Sequence, residues 1–284
     1  MPFALFTFLI WPAVTYAVYH PLGAAPGSFV EEYLSDEGYL DTGVLWFIGV
    51  LLIFSVGYAG LAVLPRPAGW SRGSDPARPA RPIGVGHLAG LALATAAATF
   101  LIRLAFPYGS ESVTDLNLWE WPGCLALFGL GIVASRREWL AEVPHALRRG
   151  SFVVTLVAGA AAGALLGGTL ATGSADRLFG GWQWWALLFA VVESTLMVFG
   201  SVWLLGAAQR HLARPRRWSA PLGRSAYGAF LLQGFVLIAL AVLLRPIPLP
   251  AEAKALVVAV GGVAGSFAWA WLLVSRVPWL ARII

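Results

Sequence analysis

Apolar residues are gathered into eight runs, about 3–20, 43–64, 84–106, 118–135, 150–171, 183–207, 225–245 and 253–275, with polar residues and proline concentrated between them. Each run is ~18–25 residues long, the length a helix rising 1.5 Å per residue needs to cross a hydrocarbon layer of roughly 30 Å. A membrane strand would need only ~9–11 residues with strict alternation, a pattern these runs lack. The predicted fold is therefore all-α: a polytopic transmembrane bundle of about eight helices, forming one membrane-embedded domain over 1–284.

Composition agrees. The chain is 59% hydrophobic and 12% charged, with a mean hydropathy of +0.76, against roughly 25% charged residues in soluble domains. A net charge of +5 and a pI near 9.8 would suggest a nucleic-acid partner in a soluble protein. Here the arginines sit in short connections and read as topology signals, so the expected partner is the lipid bilayer and not nucleic acid. Cys124 is the single cysteine and lies within an apolar run, which excludes a disulfide framework or a CxxC metal site. The start, MPFALFTFLIWP, has neither the basic region nor the cleavage site of a secretory signal peptide.

Charge alternates between successive connections. Segment 21–42 has no Lys or Arg but carries Glu31, Glu32, Asp36, Glu37 and Asp41, whereas 65–83 has Arg66, Arg72, Arg78 and Arg81. Segment 107–117 has no basic residue, 136–149 has four, 172–182 one, and 209–224 is rich again. Fifteen of the nineteen basic residues fall on one side, which the positive-inside rule makes cytoplasmic together with both termini. The expected location is the cell membrane, as a multi-pass protein. Trp46, Trp119, Trp121, Trp182, Trp184 and Trp185 fall at external helix ends and Trp139 and Trp279 at internal ones, as an interfacial belt requires. Segment 65–82 reads as a mobile loop against anionic lipid. Gly159, Gly163 and Gly167 predict a small-residue face for close helix packing.

Glu193 stands out. It lies ten residues into the run beginning at Gln183, so ~15 Å deep, near the membrane midplane. A carboxylate there must face the protein interior, pair with a cation or be protonated, and it marks a candidate site for substrate, proton or ion handling. Arg103, one turn from the external end of its run, either snorkels to the headgroups or pairs with Glu120 or Glu193. Glu120, between two tryptophans, reads as interfacial. Of His20, His87, His145 and His211, none has a metal-ligand spacing, so no metal is expected. His145 and His211 read as solvated loop residues among arginines. His87, at the cytoplasmic entrance of its helix, is the one placed to act as a base towards a cytosolic donor.

Several stretches together are similar to the acyltransferase 3 family of multi-pass membrane proteins. Segment 42–54, TGVLWFIGVLLIF, resembles the family's Gly, Leu, Trp, Phe stretch, and 128–140, FGLGIVASRREWL, its Phe, Leu, Gly, Ile stretch followed by a basic pair and Trp. Segment 193–210 resembles its Glu-containing helix ending in a basic loop. Segments 224–235, RSAYGAFLLQGF, and 275–284, SRVPWLARII, resemble its ending. The resemblance implies transfer of an acyl group, often acetyl, from an acyl-CoA-type donor to a hydroxyl of a cell-surface carbohydrate or related metabolite. Glu193, Arg103 and His87 are then the candidate catalytic residues. Two departures from the family accompany this: Gln233 stands where histidine is common, and the usual initial hairpin bearing an Arg and a His has no counterpart, so the chain starts at what resembles the third helix. A transporter or flippase, for which an intramembrane Glu and Arg are equally expected, and an inactive relative with a structural role are the alternatives.

Overall fold

The computed structural model describes residues 10–23, 27–34, 46–63, 83–110, 116–137, 139, 142–212 and 219–276. The predicted loop 65–82 and Trp279 lie outside them, as do the first residues of the first predicted span. Among the described residues there is no strand. The helices are α1 (Trp11–Tyr19), α2 (Phe29–Leu34), α3 (Trp46–Val63), α4 (Val85–Ala105), α5 (Trp121–Arg136), α6 (His145–Ala171), α7 (Trp184–Leu212), α8 (Ser219–Leu244) and α9 (Ala251–Arg276). Seven of them, α3 to α9, are long and apolar enough to cross a membrane. Each falls on a predicted span.

Two compact units divide the chain, one made of 1–47 with 214–284 and the other of 48–213. In the first, α8 and α9 form an antiparallel pair. Leu237 and Leu240 of α8 press against Gly262 and Gly261 of α9, where an added Cβ would come within 2.5 and 3.1 Å of them. Trp11 of α1 lies over Gly234 and packs on Phe235 with ring centroids 5.1 Å apart. Between α8 and α9 is a cavity of about 270 Å³ whose lining includes Gln233. Ahead of α2, Ser28 and Glu31 cap the helix reciprocally: the Glu31 carboxylate accepts from the Ser28 N–H and hydroxyl, both at 2.8 Å, and the Ser28 hydroxyl accepts from the Glu31 N–H at 3.3 Å. These bonds hold the Glu31 carboxyl below the usual carboxylate range.

The second unit is organised around α7. In its spanning window 39% of residues are buried, against 6% in α3, so among the described residues α7 is enclosed by protein and α3 is left largely uncovered. Leu88 and Ala92 of α4, Ala134 of α5, Leu147 of α6 and Val198, Phe199 and Val202 of α7 share one apolar core. Two expectations are corrected here. Trp139 is only 5% exposed and belongs to this core, not to an interfacial belt. Its carbonyl accepts from Gln209 Nε2 of α7, whose Oε1 accepts from the Val143 N–H at 2.9 Å, and this clamp draws the chain after α5 inward. Gly159, Gly163 and Gly167 face open space rather than a neighbouring helix; α6 meets α7 instead where Arg148 and Thr155 approach Gly206 and Gly200.

The predicted internal loops are also shorter than expected. α6 starts at His145, after Pro144, and α7 continues to Leu212. His145 and His211 therefore sit on helix ends and not in loops. Long basic side chains make this possible, since they reach water while their helix continues past the hydrocarbon edge.

Candidate functional site

The intramembrane ion pair is formed within the second unit by α4 and α7, which run antiparallel. Glu193 lies nine residues beyond Trp184, the first residue of α7, hence about 14 Å along the helix axis. Arg103 is in the last turn of α4, and helical side chains lean towards the amino end of their helix, so its guanidinium is carried inward rather than out to the headgroups. Arg103 Nη1 donates to Glu193 Oε2 at 2.7 Å and Nη2 to Oε1 at 3.1 Å. This fork-to-fork arrangement is the strongest geometry available to the pair. Arg103 is 3% exposed, which settles the choice left open by the sequence: it pairs with Glu193 and does not snorkel.

Aromatic rings enclose the guanidinium. Its carbon lies 5.0 Å from the ring centroid of Tyr108, 5.7 Å from that of Trp119 and 5.9 Å from that of Phe189, distances at which cation and ring attract. Tyr108 in turn meets Trp119 at 4.2 Å and Phe179 at 5.3 Å. The loop before α7 closes the box, because the Tyr108 N–H donates to the Phe179 carbonyl at 2.8 Å. Gly180 permits the approach: a Cβ there would stand 3.1 Å from Pro107 Cβ and 3.2 Å from the Arg103 carbonyl oxygen. Tyr108 is 40% exposed, and its partial burial raises the phenol above its ordinary pKa, with the negative charges of Glu120 and Glu193 adding to the shift and Arg103 opposing it. Glu120 thus belongs to the electrostatic surroundings of the pair.

Three buried polar atoms here have no hydrogen-bond partner: Arg103 Nε, Trp119 Nε1 and Ser110 Oγ. Buried donors are ordinarily satisfied, so these are exceptions to the usual pairing. The Glu193 side chain is 22% exposed. Among the described residues no cluster of three or more His, Cys, Asp or Glu side chains could hold a metal ion.

A family model described as an acyltransferase domain matches residues 1–275. The chain belongs to the acyltransferase 3 family. Neither curated proteins nor solved structures gave a match. In this acyltransferase-family chain the structure brings Arg103 and Glu193 together and leaves His87 apart. His87 is sixteen residues from Arg103 on α4, ~24 Å along the axis, exposed, and its Nδ1 accepts from the Gly84 N–H at 3.3 Å as a cap of the helix. It stands at the mouth of an apolar cavity of about 510 Å³ between α4 and α5, lined by Leu91, Thr95, Leu125 and Val133 among others. The aromatic box was the part of the site that sequence patterns did not single out. Tyr108, Trp119, Phe179 and Phe189 come from four separate segments, and of these the sequence marks only the tryptophan, as a belt residue.

Proposed function

We propose that this membrane acyltransferase moves an acyl group, typically acetyl, from an acyl-CoA-type donor to a hydroxyl of a cell-surface carbohydrate or related metabolite, with the acceptor bound at the Arg103–Glu193 pair. The observation that carries this reading is the buried bidentate pair inside an aromatic box that retains unpartnered hydrogen-bond donors. Aromatic faces beside polar groups suit a ring that is apolar on its faces and hydroxylated at its edge.

The pair supplies complementary chemistry. The Glu193 carboxylate, with lone pairs left beyond those given to Arg103, accepts the proton of the acceptor hydroxyl as its oxygen attacks the thioester carbonyl. Negative charge then develops on the carbonyl oxygen, and the free Nε–H of Arg103 and Nε1–H of Trp119 are donors that can stabilise it. Carbon–sulfur cleavage gives the ester, and the proton leaves with the thiol. Glu193 is the general base and Arg103 both orients it and offsets charge. His87 would serve the donor end of α4.

The test is transfer of labelled acetyl from acetyl-CoA to carbohydrate in membranes carrying equal amounts of wild-type or Glu193→Gln protein. The variant should lose at least ~10²-fold, the lower range for removal of a general base. Unchanged transfer would remove Glu193 from the mechanism.

A further inference from the structure

A second polar feature of the 48–213 unit lies at the other end of α7, seventeen residues or ~25 Å from Glu193. Because α6 and α7 are antiparallel, the start of α6 meets the end of α7. Arg148, Arg149 and His145 from the first helix and Arg210 and His211 from the second line a single cavity of about 390 Å³, a size within the range of small-ligand sites. Phe152 and Trp203 form its apolar floor, with ring centroids 5.4 Å apart.

The excess of Arg on this side explains the sign of the charge but not its convergence. Arg148 is laid down across α7 rather than extended into water: a Cβ at Gly206 would meet its Cδ at 2.8 Å and its Cγ at 2.9 Å. The clamp of Gln209 on Trp139 and Val143 fixes the two helix ends at this spacing. Among the described residues, none of the five basic side chains has an ion pair or a side-chain hydrogen bond, the one ion pair being Arg103–Glu193. Arg148 and Arg149 are also at the positive end of α6, where cations are unfavourable. Three arginines converging on one groove without a counter-charge, one of them packed down on α7, are stabilised by an anion.

We propose that this groove binds the phosphoryl groups of a phosphorylated ligand. Arginine suits it because its planar fork donates two hydrogen bonds to one phosphate, and the aromatic floor offers a surface for a flat or apolar part of the same molecule. Two sources share this chemistry: the phosphates of a nucleotide-bearing thioester donor, and the headgroup of an anionic phospholipid. The first source rests on the function proposed above; the phosphoryl site itself does not.

The experiment measures binding, so its failure is separate from failure of acyl transfer. The full chain, purified in non-ionic detergent, is tested with coenzyme A by calorimetry, and in nanodiscs with and without phosphatidylglycerol by thermal melting. Arg148→Gln with Arg210→Gln should weaken binding of the effective probe at least about tenfold, since hydrogen bonds between charged groups are lost. The double Lys variant, Arg148→Lys with Arg210→Lys, should recover part of it, and Arg245→Gln, outside the groove, should leave it unchanged. Saturable coenzyme A binding that follows this order assigns the groove to the donor, and stabilisation by phosphatidylglycerol alone that follows it assigns the groove to lipid. If neither probe separates wild type from the folded double Gln variant, or if the double Lys variant folds and behaves like the Gln variant, the proposal is overturned.

Discussion

Arg103 and Glu193 illustrate how an isolated polar residue in an apolar run acquires a partner. A carboxylate and a guanidinium in hydrocarbon are each costly alone, and removing one partner of a buried pair costs about 3–5 kcal/mol, because the other charge is left uncompensated. Arg103→Met and Glu193→Gln should each lower thermal stability clearly, whereas the double variant should recover much of the loss. Melting of the four proteins in detergent checks this, and strictly additive losses would contradict it. Glu193 was legible in the sequence because one charge among apolar residues needs no alignment to be noticed. Its partner was not, since two arrangements of Arg103 satisfied the same sequence. The choice depended on the inward lean of a side chain in the last turn of α4 and on rings brought from distant segments.

Tyr108 provides a pH test at the same scale. Its pKa is raised by burial and by neighbouring carboxylates, so the folded state holds the phenolic proton more tightly than the unfolded chain. Its contribution is complete below the ordinary value of about 10 and is lost as pH rises through the higher folded value. From about pH 10 upward, wild type should therefore lose melting temperature more steeply than Tyr108→Phe, whereas below about pH 9 the two should run parallel. Curves parallel throughout would contradict this placement of the phenol.

At the scale of elements, length and hydropathy were sufficient to locate α3 to α9, because membrane thickness constrains both. Helix ends were less legible. The polar residues within 145–149 and 209–211 look like loop, but the Gln209 clamp and the reach of arginine let α6 and α7 extend through them. The Ser28 and Glu31 cap was readable as S-x-x-E, yet it sits in a short polar segment where hydrophobic periodicity gives no signal. Glycine spacing misled for a physical reason: a small-residue stripe permits close approach but does not supply the neighbour. Gly262→Leu, which would drive a side chain into Leu237, should destabilise by about 1–3 kcal/mol, whereas Gly163→Leu, facing open space, should change stability by less than about 0.5 kcal/mol. Equal effects in a melting experiment would contradict these packing assignments.

On the scale of the whole molecule, the charge alternation predicts which helix ends face the cytoplasm, and within the 48–213 unit it separates two chemistries. The paired carboxylate and its aromatic box lie near one end of α7, and the basic groove lies at the other. Such a separation suits a protein that takes an acyl group from one side and delivers it towards the other. The most direct measurement is alkali-labile labelled acetyl on envelope carbohydrate, compared in cells with the protein, without it, and with wild-type or Glu193→Gln protein restored to equal levels. A transferase acting through Glu193 gives a label that disappears on removal, returns with wild type and stays absent with the variant. Label that persists without the protein, or that returns equally with Glu193→Gln, contradicts it.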